Sequence, residues 1–392
     1  MSSRGYTEEK PAVFAPKSSQ EFVTTISSYS SERELAGSVR REIVKSCPVC
    51  AAGSHTSLYV SGDWLYRVPG EFKLVRCNEC AVVYLQDRPD AQSLKLYYPD
   101  DAYYAYGRRG SHELFARTNR LASIWYAIKR GILAHRYNYK HLGSWKHLSF
   151  LTHLPLLWPL INRATFQLKV LLHEYVENGS LLEVGCGSGA YLDLMRALGW
   201  KRVVGVDFSA KAVKMATDTL GLEVYCGELN EVGLEPDSFD AVSLSHTLEH
   251  VPDPVTFLCD VRRVMKPGAR LAIIVPNVES LSSRVYADYW LALEPPRHLV
   301  NFNRRGLATA LERAGFSIET LTTTPRGSYQ VPLFSHSRRA GDDHAAYTDA
   351  EHRFPIHRRL RALALSMVER VQCALGLSAG EEVMAVAVKP RQ

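Results

Sequence analysis

Leu181-Leu182-Glu183-Val184-Gly185-Cys186-Gly187-Ser188-Gly189-Ala190 decides how the rest of this 392-residue chain is read. A short apolar run ends in an acid, and three glycines follow at alternate positions. Glycine lets the chain turn sharply and lets a ligand reach main-chain N–H groups, which a nucleoside-containing cofactor requires. Leu192, Met195 and Leu198 then recur at helical spacing, and Gly199 is placed to stop that helix.

Strands repeat outward from this loop. Val203 to Asp207 is a second buried strand ending in an acid, and Leu222 to Cys226 is a third, followed by Gly227-Glu228. Phe239 to Leu244 is a fourth. Arg270 to Val275 is a fifth, entered through the turn Lys266-Pro267-Gly268. Asp253-Pro254 opens a helix with a capping acid and a proline in its first turn, burying Phe257, Leu258, Val261 and Val264. Asn303 is placed to cap another helix, which carries Leu307, Leu311 and Ala314 and ends at Gly315. Phe316 to Thr322 reads as a sixth strand, and Glu382 to Val388 alternates into a seventh. Such alternation predicts an α/β fold with a parallel sheet. The glycines alone leave the ligand open. Gly185-x-Gly187-x-x-Ala190 also fits a dinucleotide fingerprint, and Asp207 stands about where that fingerprint wants a ribose-binding acid.

Four features taken together are more specific: the acid–Gly-x-Gly-x-Gly loop, Asp207, the segment Leu248-Glu-His-Val-Pro-Asp-Pro254, and Lys266-Pro-Gly268 before strand five. With them the chain resembles the class I S-adenosylmethionine-dependent methyltransferases, closely over about Gly179 to Val275. The resemblance implies a Rossmann-like seven-stranded sheet with its final strand hairpinned into the edge, and S-adenosylmethionine as cofactor. It implies that Glu183, Gly185, Cys186 and Gly187 belong to the cofactor loop, whose backbone meets the methionine part. Asp207 would accept hydrogen bonds from the ribose hydroxyls, with Phe208 beside the adenine and Glu228 and Leu229 at the adenine edge. Ser245 and His246 would border the methionine part and the acceptor. The alternative for Asp207 is a helix-capping acid. The Leu-Glu-His-Val-Pro-Asp-Pro segment weighs against a nicotinamide oxidoreductase.

The cysteines point to a second module. Cys47-Pro-Val-Cys50 and Cys77-Asn-Glu-Cys80 are two Cys-x-x-Cys pairs with 26 residues between them, and strand-like stretches lie at His55 to Val60 and Phe72 to Arg76. This is a zinc-ribbon layout, in which four thiolates surround a structural zinc and leave no open position for catalysis. Two redox disulfides are the alternative.

The expected organisation is a flexible segment at 1–42, a zinc ribbon at 43–95 and a tyrosine-rich linker with a basic helical cap at 96–177. The methyltransferase core follows at 178–325, then a helical insertion at 326–378 and the last core strand with the C-terminus at 379–392. Residues 108–170 hold eleven Lys and Arg against one acid, Glu113, a net +10 in a chain of net +6. Aromatic residues such as Trp125, Tyr137, Tyr139 and Trp145 are interleaved with those charges. This segment suits peripheral membrane contact, a lipid-linked substrate or nucleic acid, the last being less favoured because no RNA-binding motif is recognised. The bland reading is a helical cap with a solvated basic face. The tyrosines from Tyr97 to Tyr106 are read as packing between modules before they are read as an acceptor site. No apolar run approaches the roughly 20 residues of a membrane span, and the N-terminus lacks a signal-peptide core, so a cytoplasmic protein is expected.

An oxygen acceptor must lose its proton near the moment of attack, and histidine is the natural base near neutral pH. His250 and His298, the latter in Glu294-Pro-Pro-Arg-His298-Leu-Val-Asn-Phe302, are the candidate catalytic residues. Each could equally fix loop geometry by hydrogen bonding. No Asn-Pro-Pro-Tyr or Asp-Pro-Pro-Tyr segment follows strand four, which argues against an exocyclic base amine as acceptor. The expected activity is O-methylation of a small-molecule or saccharide hydroxyl, in a polysaccharide or natural-product pathway. The alternatives are an RNA methyltransferase and an inactive scaffold that binds S-adenosylmethionine.

Overall fold

The structure, a computed structural model, describes residues 39–98, 130–135, 137–142, 173–341 and 354–391. The expected flexible segment up to residue 38, the tyrosines beyond Tyr98, most of the basic segment and the middle of the insertion lie outside the described residues. Among the described residues, no helix is long and apolar enough to cross a membrane.

The N-terminal module starts with β1 (Arg41–Ile43), which straddles the end of the stretch expected to be flexible at 1–42. Then come β2 (His55–Gly62), β3 (Glu71–Cys77), β4 (Val83–Leu85), β5 (Asp87–Pro89) and the short helix α1 (Ala91–Leu94), which Asp90 caps by accepting from the Ser93 amide. β2, β3 and β4 form an antiparallel meander, and β1 pairs with β5. Phe72 and Leu74 point inward from β3 while Glu71 and Lys73 stay exposed, the period of two that a half-buried strand needs, and Val75 is buried as well.

The second module is built on β6 (Ser180–Val184), α2 (Ala190–Ala197), β7 (Arg202–Asp207), α3 (Ala210–Leu220), β8 (Glu223–Cys226), β9 (Phe239–Ser245), α4 (Pro254–Val264) and β10 (Met265–Pro276). It continues with α5 (Leu281–Tyr286), β11 (Val300–Asn301), α6 (Arg304–Arg313), β12 (Ser317–Thr324), α7 (Gln330–Ala340), α8 (Ile356–Ala374) and β13 (Glu382–Val388). Seven strands form one sheet in the order β12-β13-β10-β9-β6-β7-β8. β6 to β10 run parallel, so the loops after β6, β7 and β9 gather at one edge of the sheet. The expected caps are present: Asp253 accepts from the Thr256 amide at the start of α4, and Asn303 from the Gly306 amide at the start of α6.

Three features differ from expectation. β13 does not lie at the edge of the sheet. It is inserted antiparallel between β10 and β12, and β12 takes the edge. Composition explains the exchange: β13 is Glu-Val-Met-Ala-Val-Ala-Val and mostly buried, whereas β12 is threonine-rich and largely accessible, the polar strand an edge tolerates. Lys266-Pro267-Gly268 is a bulge within β10 rather than a turn before it. Met265 lies opposite Phe239 while Arg270 lies opposite Ala241, and Gly268 takes the excess length at φ 82°. Last, β11 leaves its own module and pairs antiparallel with β4, completing a four-stranded sheet in the order β11-β4-β3-β2.

The described part of the basic segment is mixed, with Asn138 and Lys140 exposed and Ile132, Leu133 and Tyr139 in the core. Leu133 and Tyr139 are buried with Leu181, Met195, Leu198 and Trp200, and Trp200 Nε1 donates to the Tyr139 hydroxyl at 2.9 Å.

Candidate active site

Gly185 leaves β6 with φ 77° and sits hard against the loop after β9. A Cβ there would lie 2.4 Å from Thr247 Oγ1, the hydroxyl that donates to the Val184 carbonyl. Gly189 caps α2 at φ 77°, and a Cβ there would lie 2.6 Å from Leu222 Cδ1. Internal packing therefore accounts for two of the three glycines. The third, Gly187, at φ 51°, donates its amide to Asp207 Oδ2 at 2.8 Å, so that amide is already engaged by the protein's own carboxylate.

Asp207 is buried at the end of β7, and its Oδ1 accepts from the Ser209 amide at 2.9 Å. Burial pushes its carboxyl above the ordinary carboxylate value, against the pull of these two amides. A carboxylate has about four lone-pair directions, so two acceptor positions remain for a vicinal diol. Beside it the Phe208 ring is 51% exposed, a flat apolar wall for a base. Leu229 is buried, while Glu228 stays at the surface. Glu183 is buried in β6, and Cys186 is buried in the loop with its thiol pushed up by burial. These residues fit a nucleoside with a positively charged substituent: acceptors for the diol, a ring for the base, and buried carboxylates near the loop.

Ser245 ends β9, and His246 follows at φ 54°. Neither His246 ring nitrogen is open: Nε2 lies 3.1 Å from Glu382 Oε1 and Nδ1 lies 3.3 Å from Glu249 Oε1. Burial alone would lower its pKa, but the two carboxylates outweigh burial and raise it to about 9. A histidine raised above its unfolded value adds stability that is complete below about pH 6.5 and is lost as pH climbs through the folded value. Tm is therefore expected to fall as pH rises through 9, and His246→Gln should flatten that fall in calorimetric scans.

The two candidate bases meet. The rings of His250 and His298 lie 4.7 Å apart at 76°, although 47 positions separate them in sequence. His250 Nδ1 lies 3.1 Å from the Arg297 carbonyl, and His298 Nδ1 lies 2.7 Å from the Ala292 carbonyl. A carbonyl only accepts, so Nδ1 carries the proton in both rings and each Nε2 is unprotonated, that of His298 lying 3.9 Å from Glu294 Oε2. Burial lowers both to about 4, so both are neutral at pH 7. Glu249 is fully buried beside them, with its Oε1 facing His246 Nδ1 at 3.3 Å. One ligand atom from each of Glu249, His250 and His298 lies within 4.8 Å of the others, a set that could hold a divalent ion. His298 completes this set from a distant segment, and His246 is not part of it. Tyr98, which nothing local distinguishes from the rest of its tyrosine-rich stretch, joins the two halves of the site. Its hydroxyl lies 3.0 Å from His250 Nδ1, and its ring meets Phe208 edge-on at 5.2 Å.

The four paired cysteines converge in the N-terminal module. Cys47 Sγ lies 3.5 Å from Cys80 Sγ, and Cys50 Sγ lies 3.4 Å from Cys77 Sγ. Both distances far exceed the roughly 2.05 Å of a disulfide and approach the ~3.8 Å edge of a zinc–thiolate tetrahedron. The two knuckles match: Ala51 and Ala81 both take positive φ, and their amides return to the Cys47 and Cys77 carbonyls.

A family model described as a methyltransferase domain matches residues 162–321. The ubiquinone biosynthesis O-methyltransferase of Thiobacillus denitrificans is 31% identical over 186 residues, 44% of this chain and 78% of that protein. An uncharacterized 37.1 kDa protein in transposon TN4556 of Streptomyces fradiae is 34% identical over 154 residues, and the chain spans 44% of its length. Among solved structures, an S-adenosylmethionine-dependent methyltransferase from Mesorhizobium loti aligns at TM-score 0.37 and 19% identity, over 59% of this chain and 97% of that one.

Proposed function

The chain belongs to the S-adenosylmethionine-dependent methyltransferases, and from that premise we propose that it methylates a hydroxyl of a small molecule or saccharide. The cofactor supplies a methyl carbon already activated on a sulfonium, so the protein's task is to align the acceptor and take its proton. Gly185, Cys186, Gly187, Asp207, Phe208, Glu228, Leu229 and Ser245 are the residues proposed to hold the cofactor, with Glu183 and His246 lending charge around them. The observation that carries the proposal is the pair of unprotonated Nε2 atoms on His250 and His298, beside the buried Glu249 carboxylate. A hydroxyl entering past Tyr98 would find a proton acceptor and a negative group there, away from bulk water. The Thiobacillus relative is named for O-methylation, which supports oxygen as the receiving atom.

A screen of hydroxylated small molecules and sugar nucleotides with radiolabelled methyl donor tests this reading. Transfer to RNA alone would overturn it in favour of the nucleic-acid alternative, and binding of S-adenosylhomocysteine without transfer to any acceptor would favour the inactive scaffold.

Cys47, Cys50, Cys77 and Cys80 are proposed to hold one structural zinc. Cys77→Ser is expected to lower zinc to well under one atom per chain by plasma emission spectrometry and to lower Tm, since structural zinc supplies folding energy. Unchanged metal content would argue against the site. None of the eight cysteines is joined in a disulfide, which supports a reducing, cytoplasmic setting.

A further inference from the structure

Arg297 is wholly buried, and its guanidinium ties together three segments. Nη2 donates to Asp63 Oδ1 at 2.8 Å, Nη1 donates to the Tyr97 carbonyl at 3.1 Å, and Nε donates to Glu294 Oε1 at 2.8 Å. The Tyr66 ring lies under the guanidinium carbon at 4.8 Å. Asp63, Tyr66 and Tyr97 all belong to the N-terminal module, more than 190 positions earlier in the sequence. Asp63 is itself fixed, because its Oδ1 also accepts from the Leu65 and Tyr66 amides.

The far side of Arg297 is the candidate active site. Its carbonyl accepts from His250 Nδ1, and the next residue is His298. Leu299 follows, with its amide on the Glu249 carbonyl and its own carbonyl receiving the Leu85 amide. Val300 and Asn301 then pair with β4. The segment from Glu294 to Asn301 is therefore clasped by the N-terminal module on one side while on the other it presents His298 itself and the carbonyl that holds His250.

A buried ion cluster is a poor source of stability, because desolvation cancels most of the attraction. Apolar side chains of similar volume would join the modules at lower cost. What a planar guanidinium with fixed donors adds is direction: it holds its own backbone in one orientation.

We propose that Arg297, held by Asp63, is a positioning residue through which the N-terminal module sets the placement of His298 and the orientation of His250. This rests on the reading of those histidines as the groups that act on the acceptor. It gives the cysteine-rich module a part in the reaction other than acceptor capture.

Asp63→Asn keeps an acceptor for the Leu65 and Tyr66 amides and removes the charge. Arg297→Lys keeps the charge and removes the fork. Hydrogen exchange followed by mass spectrometry is the direct readout. In both variants, amides within 294–302 are expected to exchange about tenfold faster or more, with 180–190 and 239–248 unchanged. Affinity for S-adenosylhomocysteine should stay within about twofold, while kcat with an acceptor from the labelled-donor screen falls by about tenfold or more at unchanged KM for the cofactor. Unchanged exchange at 294–302 in both variants would overturn the proposal, as would an equal rise along the whole chain. If the wild type fails to bind S-adenosylhomocysteine, the cofactor assignment falls, and the exchange data still report on the clamp.

Discussion

Asp207→Ala is expected to weaken binding of S-adenosylhomocysteine by at least about a hundredfold, with the far-ultraviolet circular dichroism of the chain unchanged. A hydrogen bond to a charged group contributes roughly 1.5–3 kcal/mol, and a ribose diol would lose two. The total, about 3–6 kcal/mol, corresponds to two to four decades in Kd. The structure adds a second reason. Asp207 also holds the Gly187 and Ser209 amides, so its removal frees the loop that the cofactor must find in place. Asp207→Asn separates the two contributions. It can retain an oxygen toward Ser209 but presents only one acceptor in all, and an intermediate loss is expected. Wild-type affinity in the alanine variant, measured by calorimetry, would refute the assignment.

His250→Ala and His298→Ala are each expected to lower kcat by about 10²- to 10⁴-fold, the usual worth of a positioned acid–base group, with affinity for S-adenosylhomocysteine little changed. Each imidazole is anchored through Nδ1 on a backbone carbonyl, so alanine removes the unprotonated nitrogen and leaves the carbonyl to water. Glu249→Gln tells two modes of action apart. If the histidines take the proton directly, a chelator leaves the wild type active and the glutamine variant loses only part of its rate. If Glu249, His250 and His298 act by holding a divalent ion, the chelator abolishes turnover and the three variants share one loss of metal dependence. Full activity in both alanine variants would remove the two histidines from the mechanism.

The parts of this molecule that were legible in the sequence are those specified by neighbours. Strands β6, β7 and β9 announce themselves as apolar runs, and the caps at Asp253 and Asn303 are local hydrogen bonds. The cysteine knuckles are legible for the same reason, since each is a short repeat with its own turn. What escaped is specified by distant segments. Nothing near Val300 and Asn301 says that they pair with Tyr84 and Val83, because a two-residue strand has no period to read. The contact of His250 with His298 depends on that pairing and so was hidden with it. Arg297 in sequence is one arginine among many, and only burial against Asp63 distinguishes it. The glycine loop carries a different lesson. Its bareness, legible as a ligand signal, is in part the crowding of Thr247 and Leu222 against Gly185 and Gly189.

β13 sits between β10 and β12 and is antiparallel to both, which bears on how the chain is made. While the ribosome is still extending the polypeptide through residue 381, β10 has one flank without a ladder partner and β12 has no strand to dock on. An apolar strand with open amides is a template for intermolecular pairing, so nascent or prematurely terminated chains would be substrates for chaperones and for inclusion bodies. A nonsense codon between Pro276 and Glu382 should therefore yield insoluble protein rather than a shortened methyltransferase.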